Sequence, residues 1–407
     1  MKSRSSVFFA TILLHAFGCH TSPPDRSEWS GALTLHSGTL LPFHMTLDLT
    51  GPAPSGFFTV GDERTQIPEC RTTSDSIILE FSEYGASLRG RWDGSRLSGS
   101  YFRYRSDTAS IPFFAAPLGS EAYARTASSP PGVALVGTFQ AYLQGSSTVD
   151  SSTTGVFWSR ADSVFGTLIA PDGDYGLFAG VQRGDSAYLG RFTGWQVLKL
   201  ELGRTGASWS GRLFVRGGSP TPFQLEPRPT AEPESTPDKI TAAADPKAKF
   251  RFSGLTTEGM FLTETSSKFK DKALIVDIMG TWCHNCMDAV PILQQLSKEY
   301  GPKGLEVVGL SFEISDDTSL AKRNIELFAR RHGVTYPLLF CGSTEPVYTD
   351  PQLKSQLKNF YAYPTTLFID RSRRIRSVHV GFRGPGTGDA YQREIETLYR
   401  HAEEIVK

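Results

Sequence analysis

Two hydrophobic rhythms divide this chain. Between residues 28 and 226, apolar residues alternate with polar ones: Met45, Leu47 and Leu49 with Thr46 and Asp48, and later Leu198, Leu200 and Leu202 with Lys199 and Glu201. A period of two predicts strands with one buried face. Residues 76–81 form a short apolar run, and Gly51-Pro52, Asp93-Gly94 and Asp172-Gly173 are turn signals. No apolar stripe of period 3.6 crosses 28–116 or 133–226. From residue 247 the rhythm changes. Apolar runs at 273–279, 305–312, 336–340, 366–369 and 377–380 predict strands. Between and after them, Met287/Val290/Leu293/Leu296, Ala321/Ile325/Phe328/Ala329 and Tyr391/Ile395/Leu398/Ala402/Ile405 predict helix faces, the second stopped by Gly333. Strands alternating with helices predict an α/β domain over 247–407, behind an all-β region.

The joints between these regions are legible too. Residues 117–132 hold Ser128-Ser129-Pro130-Pro131 and predict a linker between two β-rich units, 28–116 and 133–226. The two units carry an echo: Leu97-Ser98-Gly99-Ser100-Tyr101-Phe102 against Trp209-Ser210-Gly211-Arg212-Leu213-Phe214, followed by Ile111-Pro112-Phe113 against Thr221-Pro222-Phe223. A repeat and a chance product of turn-rich composition both account for it. Residues 227–246 contain five prolines and predict a semi-rigid linker.

Composition adds compartment and class. The chain has 407 residues and zero formal net charge, room for several domains and little pull on nucleic acid. Residues 1–19 have a basic start (Lys2, Arg4) and an apolar stretch too short to span a bilayer, as an export signal does. Gly18-Cys19 at its end resembles a bacterial lipoprotein signal, which implies lipidation of Cys19, although Ala16 stands where leucine is usual; a plain secretory signal is the alternative. Polar, proline-bearing residues 20–27 then form a tether. Of five cysteines, only Cys283 and Cys286 are close in sequence. Cys70 and Cys341 are expected to be buried small apolar residues, with a bridge between them or a resolving role for Cys341 as alternatives.

Cys283-His284-Asn285-Cys286 carries the chemistry. It ends an apolar strand run and opens an amphipathic helix stripe. A thiol at a helix N-terminus is favoured as thiolate by the helix dipole and free backbone N–H groups, and a second thiol one turn on can close a disulfide with it. This predicts thiol–disulfide exchange. A zinc site would need further ligands, and His332 and His401 are isolated. Gly384–Gly388 lacks the lysine and preceding strand of a phosphate loop, and the run 371–376 is expected to be a solvated hairpin turn. No metal or cofactor is called for.

The segment Val276-Asp277-Ile278-Met279-Gly280-Thr281-Trp282-Cys283 resembles a thioredoxin active-site segment, and residues 247–407 resemble the TlpA/ResA-like thiol–disulfide reductases, membrane-tethered proteins of the bacterial envelope. The β region resembles N-terminal extensions of some envelope thioredoxin-like proteins. The resemblance implies Cys283 as nucleophile, Cys286 as resolving thiol, and Asp277, six residues before Cys283, as a buried carboxylate that takes the Cys286 proton. It implies a cis Pro364 between Tyr363 and Thr365, facing the cysteines and pairing with extended substrate. Trp282 would shape the docking surface, and Pro291 would kink the helix. A peroxiredoxin site needs a threonine three residues before its cysteine; Thr281 is two before.

Two positions depart from the family pattern. The dipeptide between the cysteines is His-Asn without proline; His284 either adds positive charge beside the thiolate or is a solvated loop residue. Ala289 stands where a glutamate is frequent, with Asp288 and Glu313 as nearby acids. The resemblance implies protein disulfides as substrates, a membrane dithiol as electron donor and a periplasm-facing, lipid-anchored location. An oxidase or isomerase would use the same residues, and a ligand-binding envelope protein whose β region carries the function is the rival class.

Overall fold

The computed structural model describes residues 23–103, 110–118, 133–144, 149–230, 232–233 and 240–407. The export signal 1–19 with Cys19, residues 119–132 of the first linker, and 231 and 234–239 of the second lie outside the described residues.

The first β unit contains β1 (Arg26–Thr34), β2 (Leu40–Asp48), β3 (Ser55–Val60), β4 (Glu63–Gln66), β5 (Glu69–Thr72), β6 (Ser76–Phe81), β7 (Ala86–Trp92), β8 (Leu97–Arg103) and β9 (Ile111–Pro117). It is an antiparallel meander whose last strand returns to the first, with Leu33 opposite Phe113. Among the described residues the circuit is open between β4 and β5. β1 starts at Arg26, so the end of the expected tether is already strand. Alternation works as read: the odd-numbered Leu41, Phe43, Met45 and Leu47 of β2 are buried and their neighbours face outward.

The second unit repeats this course with β10 (Gly137–Gln144), β11 (Val149–Arg160), β12 (Ser163–Ala170), β13 (Gly173–Asp174), β14 (Phe178–Arg183), β15 (Ser186–Phe192), β16 (Val197–Thr205), β17 (Ser208–Val215) and β18 (Thr221–Pro227). Here β18 pairs with β10, β10 with β11 and β11 with β12, so the ring closes into a small barrel. Its inside is filled by side chains including Phe157, Phe178, Leu189, Leu200, Trp209 and Leu225, as eight-stranded barrels allow. The echo noted in the sequence falls on β8 and β17, the next-to-last strands. Its glycines have one physical cause: a Cβ on Gly99 would lie 1.9 Å from the Arg89 carbonyl oxygen, and one on Gly211 1.8 Å from that of Glu201.

The two units share a core. Phe192, at the end of β15, inserts between Phe58 (ring centroids 4.9 Å), Phe43 (5.2 Å) and Tyr101 (5.5 Å) of the first unit. Full burial of such a ring contributes roughly 2–3 kcal/mol.

The C-terminal domain is an α/β thioredoxin-like fold. A short strand β19 (Ala242–Ala243) pairs with β25 (Leu357–Lys358), so the chain joins this domain before residue 247. The main sheet uses β20 (Ser253–Leu255), β21 (Phe261–Thr263), β22 (Ala273–Met279), β23 (Leu305–Glu313), β24 (Leu338–Ser343), β26 (Thr365–Ile369) and β27 (Ile375–Val380), in the order β21-β20-β24-β23-β22-β26-β27. β22, β23 and β24 are parallel; β26 runs against β22. Helices α1 (His284–Tyr300), α2 (Thr318–His332) and α4 (Asp389–Val406) lie on one face. The other face is covered by Phe250, Phe252, Phe269, Leu353 and Leu357. A one-turn helix, α3 (Pro346–Thr349), follows β24.

One expectation is corrected here, and one alternative falls away. The basic run 371–376 is a turn, but Arg373 is not a solvated member of it: its guanidinium donates to the carbonyl oxygens of Glu264, Lys272 and Phe269. Cys70 and Cys341 are both buried and neither is in a disulfide, so the alternative bridge between them is not made. Burial pushes the Cys70 thiol up to about 11 and raises Cys341 further still, as for inert cysteines.

Candidate active site

The strand-to-helix junction after β22 builds the site. β22 is fully buried, and its alternation sorts its side chains. Ala273, Ile275 and Met279 pack with Cys286 and the helices, whereas Leu274, Val276 and Ile278 face the opposite core. Asp277 shares parity with the first group, which puts its carboxyl on the Cys286 side of the sheet. The carboxyl is 2% exposed and accepts one hydrogen bond, from Thr366 Oγ1 at 3.1 Å on the neighbouring β26. Desolvation pushes it from 3.8 up to about 7, against the pull of that bond.

Cys283 caps α1. Its backbone is extended, and its Sγ accepts the N–H of Cys286 at 3.2 Å. The two sulfurs are joined in a disulfide, with Cα atoms 5.2 Å apart. The turn leading into the pair is held by Glu313, a buried carboxylate at the end of β23, which accepts the Thr281 N–H (3.1 Å) and hydroxyl (2.7 Å). Pro291 sits inside α1, as expected.

The Tyr363–Pro364 bond is cis. Trp282 and Tyr363 meet edge to face at 5.3 Å, and Trp282 Nε1 donates to the Phe312 carbonyl at 2.9 Å. Pro364 O accepts the Gly381 N–H at 2.8 Å, and Thr365 Oγ1 donates to the Ala362 carbonyl. The fold thus gathers Trp282, Cys283, Tyr363, Pro364 and Thr365 at one end of the sheet, with Asp277 beneath.

His284 overturns both readings made of it. It is neither a cation beside the thiolate nor a solvated loop residue. Burial, reinforced by the Arg191 charge, lowers its pKa to about 3, so the imidazole is neutral. Its Nε2 faces Arg191 Nη2 at 3.3 Å. Asp288 Oδ2 lies 3.4 Å from the same nitrogen; its carboxyl is raised well above the ordinary range by burial and by the nearby carboxylate of Asp174. Asp288 thus lies where the second β unit meets the C-terminal domain, facing Asp174 and Arg191.

Arg191 and Glu63 were not singled out in the sequence. Arg191 is fully buried, and each of its N–H groups finds a partner. Nη1 donates to Glu63 Oε2 (2.6 Å) and the Leu177 carbonyl (3.0 Å); Nη2 donates to Glu63 Oε1 (2.7 Å) and faces His284; Nε donates to Gln196. One guanidinium thus holds the first unit, the second unit and the C-terminal domain. Gly176 makes room for it: at φ +78° it is left-handed, and a Cβ there would lie 2.4 Å from Arg191 Cζ.

With three helices on one face of a mixed sheet, a CxxC capping the first helix and a cis-proline at the next antiparallel strand, the domain has a thioredoxin-like fold. Comparison with known sequences agrees. Residues 247–378 match the model of the AhpC/TSA family. The chain is 29% identical over 112 residues to thioredoxin-like protein YneN of Bacillus subtilis, covering 28% of this chain and 58% of that one. It is 25% identical over 116 residues to thiol-disulfide oxidoreductase ResA of Geobacillus thermodenitrificans, covering 28% and 57%. The chain thus spans a little over half the length of these two relatives. A solved thiol:disulfide interchange protein of the thioredoxin family from Chlorobium tepidum aligns with 38% of this chain and 99% of its own, at 24% identity and a TM-score of 0.27. Among the described residues no group of His, Cys, Asp and Glu is arranged to hold a metal ion.

Proposed function

We propose that this protein is a thiol–disulfide oxidoreductase acting on protein disulfides. The observation that carries the reading is the bonded Cys283–Cys286 pair at the N-terminus of α1, with a buried carboxyl on the Cys286 side of the sheet. In the reductive direction the Cys283 thiolate attacks one sulfur of a substrate disulfide and displaces the other as a thiolate. The mixed disulfide so formed is attacked at Cys283 Sγ by Cys286. Asp277 takes the Cys286 proton as that thiol becomes nucleophilic, a task suited to a base titrating near 7. The products are the Cys283–Cys286 disulfide and a substrate dithiol, two electrons having moved to the substrate. Trp282 and the 363–365 segment form the docking edge for extended substrate. A membrane dithiol donor returns the pair to its reduced state.

The export signal, with Cys19 as the lipidated residue, supports an envelope location. No helix of the described residues is long and apolar enough to cross a membrane.

The full chain, supplied with a dithiol reductant, should catalyse reduction of a protein disulfide such as that of insulin, and Cys283→Ser should abolish catalysis. A chain that catalyses neither reduction nor oxidation of any dithiol pair overturns the reading. The measured reduction potential decides between reductase and oxidase directions.

A further inference from the structure

The chemistry requires Cys283 Sγ to be reached by a foreign disulfide, yet in this arrangement Cys283 is 5% exposed and Cys286 fully buried. Pro364 is buried as well. The chain's own β region covers them. Trp282 and Met287 pack against the core of the first β unit as well as their own. Tyr84 stacks on Trp195 (4.7 Å, 10° between planes), and that pair lies over the exchange motif: Trp195 meets the His284 ring at 5.8 Å, and Tyr84 Oη donates to Met287 Sδ at 3.2 Å. The β12–β13 turn closes the other side. A Cβ on Gly173 would lie 2.0 Å from Asn285 Nδ2, and one on Gly381 2.3 Å from the Asp172 carbonyl carbon. Asp174 Oδ2 accepts the Gly384 N–H at 2.6 Å. This turn therefore grips the 381–384 loop whose first N–H is bonded to Pro364.

We propose that the seam between the two β units is a docking surface for the redox domain's own exchange face, and that this self-docked arrangement is a capped state from which the redox domain must part before a protein disulfide can reach Cys283. The proposal rests on the oxidoreductase reading for its meaning, not for its geometry. The seam is polar enough to release. Arg191 and the neutral His284 lie at its centre, and two ion pairs clasp its rim: Arg331 Nη1 with the buried Glu83 Oε2 at 2.9 Å, and Arg323 with Glu69. Both arginines stand on α2, remote from the cysteines in sequence. Interfaces of this mixed kind are the ones that open within multidomain chains.

The capped state is tested on the reduced full chain by the rate at which iodoacetamide modifies Cys283, read by peptide mass spectrometry. Arg323→Glu with Arg331→Glu sets like charge against Glu69 and leaves Glu83, whose pKa burial already raises to about 7, without its cation; together they should raise the Cys283 rate at least tenfold over the unaltered chain. The reciprocal exchange Glu69→Arg with Arg323→Glu rebuilds the outer pair and should keep the rate within about threefold of the original. Hydrogen exchange of β22 and β17 reports whether the domains of the opened variant remain folded. Equal Cys283 rates in the unaltered and opened chains, fast or slow, overturn the cap. Loss of insulin reduction in all chains, with the rate difference intact, would overturn the oxidoreductase reading and leave the cap standing.

Discussion

Two buried ionisable groups, one under the cysteines and one at the seam, show how burial acts on charge in opposite ways. Asp277 sits in an apolar core where desolvation outweighs its single hydrogen bond, from Thr366, so its proton affinity rises until it titrates near 7. Arg191 is buried just as deeply but carries a full complement of partners, with Glu63 bound to it at both oxygens. The Glu63 carboxyl accordingly stays below its ordinary range although desolvation opposes this. Burial makes a group reactive when it is left underpartnered, and holds it charged as a joint between the two β units when every donor is met.

Breaking the joint should have the largest effect. Arg191→Ala strands Glu63 at the seam and should lower the unfolding free energy of the full chain by about 3–5 kcal/mol in urea denaturation. Replacing the pair together, Arg191→Met with Glu63→Leu, should recover much of that loss, because no charge is then buried alone.

Asp277→Asn tests the other half of the comparison. It should slow resolution of a preformed mixed disulfide by at least about a hundredfold, the usual scale of a general base. In the unaltered chain the resolution rate, followed by rapid acid quench, should rise about tenfold per pH unit up to about 7 and then level, since Asp277 is protonated and useless as a base below that point. Stability runs the opposite way. The folded-state pKa is raised, so the burden is absent below pH 3.8 and grows as pH rises through about 7. Asp277→Asn should therefore be more stable than the unaltered chain at pH 8, by roughly 4 kcal/mol, and no more stable at pH 3. The smallest effect belongs to Thr366→Val: loss of the single donor to the carboxylate should move the midpoint of the resolution profile upward by about one pH unit.

The same contrast marks what the sequence could tell. Asp277 is legible because one carboxylate interrupts an otherwise apolar run at a fixed distance from a CxxC, and Pro364 because it precedes a short apolar strand. The strand rhythm of both β units survives in the structure because alternation is a local consequence of the pleat, as β2 demonstrates. The setting of His284 is not legible, because it is made by Arg191, 93 residues away and on another unit. Arg191 itself lies in Gly190-Arg191-Phe192, where a charge between a glycine and an aromatic reads as solvent-facing. Open and closed circuits were equally hidden, since closure depends on β18 meeting β10 across the whole unit.

The division of labour between the two cysteines is tested most directly by trapping a substrate. Full-length Cys286→Ser and Cys283→Ser proteins, each reduced and then offered a protein disulfide, are to be mapped for mixed disulfides by non-reducing mass spectrometry. Adducts are expected at Cys283 in the first protein and none at Cys286 in the second. Adducts at Cys286, or none in either protein, would contradict that division.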